Sequence, residues 1–171
     1  MAAYTTIDNP ELYFQTKLYT GTEDELAITL DGSENMQPDF VWIKRRATSQ
    51  NHFIFDSVRS ATKYINSNTS DPEYTQAQGL KSFDTDGFTL GTWDGPNDDV
   101  TNVAWCWKAG TAFSNDASAT SIGDVDSSGS AATIAGFSIC SYTGSGTAGD
   151  TIKHGLDKAP EILLFKNRST D

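Results

Sequence analysis

Cysteine, histidine and basic residues are all scarce in this chain of 171 residues. Its two cysteines, Cys106 and Cys140, make neither a disulfide framework nor a zinc site, so buried free thiols are expected. The two histidines, His52 and His154, stand in no Ser-His-Asp order and no metal-ligand spacing, so surface or strand-end roles are expected. Twelve Lys and Arg face 23 Asp and Glu, a net charge of −11. That balance argues against unassisted wrapping of nucleic-acid phosphates or anionic lipid. No apolar run approaches the roughly 20 residues that a membrane-spanning helix needs. Residues 1–10 have neither a basic start nor an apolar stretch, so they do not read as a secretory signal.

What is present suits β-structure. Hydrophobic residues make up 37% of the chain and aromatics 11%, enough to build a core. Ser and Thr together number 38, and Asp outnumbers Glu by 17 to 6. These residues favour turns and strands over helix interiors. Strand patterns recur at short spacing. Phe14, Thr16 and Leu18 alternate, as do Leu26, Ile28 and Leu30. Phe40-Val41-Trp42-Ile43 is apolar throughout, as in a strand buried on both faces. Residues 52–55 read as another short strand. Residues 80–83 and 88–90 flank Asp84-Thr85-Asp86-Gly87 and predict a β-hairpin. In residues 103–108, Val103, Trp105 and Trp107 share one face and are expected to point into a sandwich core, with Phe40 and Trp42. Residues 57–65 fit either helical or strand periodicity. Residues 113–136 are rich in Ser, Ala and Asp and predict a connector with a short strand near Ile122 and Val125.

An internal repeat organises the chain. Leu18-Tyr19-Thr20-Gly21 returns as Ser141-Tyr142-Thr143-Gly144, 123 residues later. Pro38-Asp39-Phe40-Val41-Trp42-Ile43-Lys44 returns as Pro160-Glu161-Ile162-Leu163-Leu164-Phe165-Lys166, 122 residues later. The order is preserved and a single deletion accounts for the difference. The expected organisation is therefore a first unit over residues 14–112, the connector over 113–136, and a second, truncated unit beginning at 137–171. Truncation suggests the N-terminal piece of a longer protein. The fold class expected is an all-β antiparallel sandwich of concanavalin or jelly-roll type.

Several ordered blocks carry a resemblance: residues 37–44, Phe55-Asp56-Ser57-Val58-Arg59, Ala61-Thr62-Lys63-Tyr64, residues 82–91 and residues 103–108. Together they resemble a repeated domain of virion structural and tail-fibre-like proteins from marine tailed phages. The resemblance runs over most of the chain from Phe14. It implies a concanavalin-like β-sandwich, tandem copies and a place on the virion. It also implies capsid, portal or tail proteins as partners, and a homo-oligomer, often a trimer in fibres. No catalytic residue, cofactor or metal comes with it, so the chain is not expected to be an enzyme. Residues 1–13 lie outside the repeat and are the expected particle-docking segment.

The loop before the Val103 strand departs from the family's Gly/Ser/Asn-rich pattern. It holds Trp93, Asp94, Asn97 and Asp98, with Asp99 alongside. An indole can stack on a sugar face while carboxylates and amides meet hydroxyls, so these four residues are the candidate carbohydrate site for host surface polysaccharide. The plainer reading is a loop tryptophan that covers one end of the sandwich. Asp94, Asp98 and Asp99 also offer oxygens to calcium, with a solvated acidic loop as the simpler account. Asp84-x-Asp86-Gly87 opens like a calcium loop but lacks the closing Glu, which leaves a hairpin turn. Lys44-Arg45-Arg46 is expected to pair with nearby carboxylates, or with a neighbouring subunit, rather than with nucleic acid. A glycan hydrolase would need two carboxylates in one cleft, which spacing alone does not supply.

Overall fold

The computed structural model describes residues 7–169. Twelve strands form its framework, and every strand ladder is antiparallel. They are β1 (Phe14–Thr20), β2 (Leu26–Ile28), β3 (Phe40–Arg45), β4 (His52–Asp56), β5 (Lys63–Asn66) and β6 (Tyr74–Thr75). Then come β7 (Leu80–Asp84), β8 (Gly87–Leu90), β9 (Thr101–Trp107), β10 (Thr111–Asn115), β11 (Ser127–Ala132) and β12 (Phe137–Tyr142). Two single-turn helices, α1 (Asp94–Asn97) and α2 (Ala117–Thr120), interrupt them.

A six-stranded sheet runs β1-β9-β3-β4-β5-β6. A three-stranded sheet, β2-β8-β7, packs on one of its faces. The core between them joins Tyr19, Val41, Ile43, Phe53, Phe55, Ala104 and Cys106 from the large sheet to Ile28, Leu80, Phe88 and Leu90 from the small one. Leu30 and Met36, in the segment between β2 and β3, close one side. This is the expected all-β antiparallel sandwich. The third sheet, β10-β11-β12, follows the first two in sequence.

The direction of the central strands is opposite to expectation. Val41, Ile43, Ala104 and Cys106 are fully buried and face the small sheet. Phe40, Trp42, Trp105 and Trp107 occupy the alternate positions and are half-buried on the outer face; of the five residues expected inside, only Val103 is buried. Antiparallel register lines them up in rows: Phe14 beside Trp107 beside Phe40, then Thr16 beside Trp105 beside Trp42. The rings touch at 4.8 Å for Phe14–Trp107, 5.4 Å for Phe40–Trp107 and 6.0 Å for Trp42–Trp105. Such cross-strand aromatic pairs stabilise a sheet from its solvent side. Phe137, the first residue of β12, stacks on Trp107 and meets Phe40 edge-on, which anchors the third sheet to this face.

Other expectations resolve simply. The hairpin forms between β7 and β8, with Asp84 opposite Gly87. Residues 57–62 make turns and Lys63–Asn66 is a strand, not a helix. The Ser/Ala/Asp-rich stretch carries the end of β10, α2 and all of β11. Near Ile122 the expected strand reduces to one parallel bridge between Val125 and Ile152. The N-terminal segment contains a short 3-10 helix, Pro10–Leu12, capped by the Asn9 side chain; residues 1–6 of that segment lie outside the described residues.

The two copies of the repeat diverge. Phe14–Thr20 and Phe137–Tyr142 are both strands, with Tyr19 and Tyr142 in matching places. The counterpart of β3, residues 162–166, joins no strand ladder among the described residues.

Candidate functional site

The loop between β8 and β9 is held by its own side chains and its neighbours. Trp93 is half-buried, with its ring edge-on to Phe53 at 4.9 Å and tilted against Tyr64 at 4.8 Å. A Cβ at Gly95 would stand 2.5 Å from the Trp93 ring, so that side of the indole is covered by the loop itself. Tyr74 stacks on Tyr64 at 5.2 Å and is 39% exposed.

Asn97 is completely buried. Its side-chain oxygen accepts the Thr22 N–H at 3.1 Å, and its amide donates to the carbonyls of Asp24 at 2.6 Å and Gly91 at 2.7 Å. The Glu23 N–H donates to its backbone oxygen at 2.8 Å. Asp98 accepts an ion pair from Arg45 at 2.8 Å, and the same guanidinium donates to the Asp94 carbonyl at 2.8 Å. Arg45 thus pairs with one local carboxylate, while Lys44 donates to the Arg45 carbonyl at 2.7 Å. Asp94 exposes its carboxylate. Glu23 hydrogen-bonds Asp98 and feels Asp99 and Asp94, so its carboxyl is held above the usual range. The four candidate residues therefore share one loop, but they do not converge on a common surface point: Asn97 points inward, Asp98 is paired and Trp93 is packed.

The Tyr-Thr-Gly motif supports this loop. The Tyr19 hydroxyl donates to the Pro96 carbonyl at 2.6 Å. A Cβ at Gly21 would lie 2.2 Å from the Asp98 oxygen, so only glycine lets α1 close down on the end of β1. Burial pushes the Tyr19 hydroxyl pKa upward.

Sequence reading missed a second cluster. Arg59, whose side chain is 4% exposed, donates to Asp56 at 2.6 Å, to Glu73 at 3.2 Å and to the Ile54 carbonyl at 3.1 Å. Lys63 and Arg168 also reach Glu73, at 3.2 and 3.0 Å. Burial opposes the ionisation of Glu73, but hydrogen bonds from Arg168, Lys63 and Arg59 outweigh it and lower its pKa. The Glu73 N–H also donates to the Arg168 carbonyl at 2.9 Å. Asp56 and Arg59, three residues apart after a strand, were the available local signal.

The remaining titratable residues are dispersed. Among the described residues, no three His, Cys, Asp or Glu side chains are grouped as metal ligands would be. Asp84 accepts from Ser82 and Thr89, both at 2.7 Å, and Asp86 accepts the Met36 N–H, which ties this turn to the sandwich. His52 opens β4, where burial and then Lys44 lower its pKa. His154 accepts the Leu156 N–H on Nδ1 at 3.1 Å. Both cysteines are free; burial pushes the Cys106 thiol up to about 12 and raises that of Cys140. A shallow depression of about 360 Å³ lies between the third sheet and Arg168, lined by polar residues such as Asn115, Asp116, Asp126 and Ser141.

Comparison with known proteins brings in one family. No curated protein matches the chain, and no solved structure does. Residues 9–171 match the family described as "Domain of unknown function (DUF7483)". With all but its first eight residues covered, the chain belongs to the DUF7483 family.

Proposed function

We propose that this protein is a structural component of a tailed-phage virion, the N-terminal part of a tail fibre or head-attached fibre. In this reading the sandwich acts as a rigid spacer and residues 1–13 dock onto capsid, portal or tail proteins. A homo-oligomer, in the manner of trimeric fibres, completes the assembly, and no catalytic step, cofactor or metal takes part. The sequence resemblance motivates the virion setting. The observation that favours a spacer is the use of the 93–98 loop for internal contacts, with Asn97 buried and Asp98 bound to Arg45. Gold-labelled antibody against the sandwich, imaged on purified particles, tests the setting. Label on fibres at a fixed number per attachment site is expected. Particles that carry no label and lack the chain by mass spectrometry would end the reading.

A carbohydrate-binding receptor module is the second reading. It draws on one observation: Tyr74 is exposed and stacks on Tyr64, whose ring is tilted against Trp93, so the three rings form a row. Such a row suits a sugar ring of host polysaccharide. Tyr74→Ala removes an exposed ring with little effect on the core. Binding of polysaccharide by the wild type that this variant abolishes is expected if the receptor reading holds; a wild type that does not bind, or binding that the variant leaves unchanged, would end that reading.

A further inference from the structure

The second copy of the repeat leaves open three contacts that the first copy closes. In the first copy Tyr19 is buried beneath α1, Gly21 is pressed against the Asn97 and Asp98 backbone, and β3 lies beside β9. In the second copy the matching Tyr142 is 42% exposed, and a Cβ at Gly144 would meet nothing within 4 Å. Ile162, Leu163, Leu164 and Phe165, which match Phe40, Val41, Trp42 and Ile43, are 89%, 62%, 64% and 68% exposed. Their backbone groups make no ladder or turn hydrogen bond among the described residues. Four consecutive large apolar side chains in water form an unfavourable surface, and a segment whose backbone joins no ladder is open to strand addition.

The first copy shows what chemistry covers such a surface. There one continuous segment does all three jobs. Residues 94–97 form α1, which covers Tyr19 and Gly21, and Thr101–Trp107 then enters as β9 between β1 and β3. Its register places Trp107 beside both Phe14 and Phe40, and Asn102 beside Tyr19 and Arg45. Carried through the repeat, the same register sets an aromatic residue beside Phe137 and Ile162, and a polar residue beside Tyr142 and Asn167. The two flanking segments already lie together. Arg168 donates to Ser141 in β12 at 2.5 Å, and β12 is the terminal strand of its sheet, with one edge unpaired.

We propose that β12 and residues 162–166 form an acceptor site for one segment of the α1–β9 type: a helical turn followed by an antiparallel strand with apolar residues on both faces. The strand would hydrogen-bond to residues 162–166, and the turn would cover Tyr142 and Gly144. Recognition comes from main-chain pairing plus alternate apolar pockets, the mode of peptides that add a strand to an open sheet edge. This inference rests on the repeat and its exposure, and it is independent of the virion reading.

The test uses the full chain and a synthetic peptide with the sequence of residues 93–107, carrying Cys106→Ser to avoid oxidation. A scrambled peptide of the same composition is the control. Fluorescence anisotropy of labelled peptide and hydrogen exchange of the protein are followed together. The native-sequence peptide should bind, protect the amides of residues 162–166 and 142–144, and outcompete the scrambled one. The variant Leu163→Asp/Phe165→Asp alters only exposed side chains, and should weaken binding at least about tenfold by placing unpaired charge against the added strand. Absence of protection at those amides would overturn the proposal. Equal binding by the scrambled peptide, or by the double variant, would also overturn it. So would concentration-dependent dimerisation of the chain without peptide that the double variant abolishes, since a second copy would then be the occupant.

Discussion

The carboxamide of Asn97 accepts the backbone N–H of Thr22 at 3.1 Å, so a side chain from the β8–β9 loop completes the backbone of the β1–β2 loop. The same group donates to the Asp24 and Gly91 carbonyls. Asn97→Ala should therefore leave buried donors and acceptors without partners and cost about 2–4 kcal/mol. Denaturant unfolding followed by tryptophan fluorescence measures it. A change of under about 0.5 kcal/mol, the size of an ordinary surface substitution, would contradict the assignment.

Glu73 gives an acid-side prediction. Its folded-state pKa is depressed below the ordinary 4.5, so its contribution is present above the unfolded value and disappears as pH falls through the folded one. Glu73→Gln should destabilise the protein at pH 7 by about 1–2 kcal/mol, because Arg59 keeps Asp56 as a partner. The gap between wild type and variant should shrink as pH falls below 4.5. Melting curves across that range check both points, and a constant gap would assign the shift elsewhere.

Gly87 opens β8 with φ +105°, and a Cβ there would lie 1.9 Å from the Ile28 carbonyl oxygen. Gly87→Ala combines backbone strain with a clash against a neighbouring strand. A loss of about 2–3 kcal/mol is expected, read from the denaturation midpoint. Gly136, whose φ is also positive but which has open space around it, serves as the comparison: Gly136→Ala should cost less.

The thiols should separate in reactivity. Cys106 is fully buried in the core, with its pKa pushed up to about 12, whereas Cys140 is half-buried. A maleimide added to native protein at pH 8 should label Cys140 slowly and Cys106 only after unfolding. Peptide mapping of the labelled sites decides, and rapid native labelling of Cys106 would contradict its core position.

The legible and illegible parts of the fold have a physical pattern. Strands such as β1, β3, β7, β8 and β9 were readable because alternation and turn chemistry are local signals. The inward direction of β9 was not. Val103-Ala104-Trp105-Cys106-Trp107 is apolar at every position, so alternation carries no sign. The small side chains of Ala104 and Cys106 lie in the core with Phe53, Phe55 and Phe88, and the tryptophans pass to the face where Phe137 lies. Residues 93–98 were readable as the connection before β9, but their single helical turn and the inward turn of Asn97 depend on Thr22 and Asp24, more than 70 residues earlier. The Glu73–Arg168 pair, separated by 95 residues, left no sequence signature.

That pair alters how the molecule would carry a pulling force. Arg168 stands close to one end of the described chain and β1 close to the other, yet Arg168 is clamped to Glu73 beside the six-stranded sheet by two side-chain bonds and one backbone bond. Tension applied at the two ends therefore runs first through the clamp and the large sheet. Residues 111–160, which include the third sheet, lie in parallel with that path and are shielded while the clamp holds. Only after the clamp ruptures do they come under load, so the extension curve of a single molecule should show an early release of the length folded in the third sheet before the sandwich itself gives way.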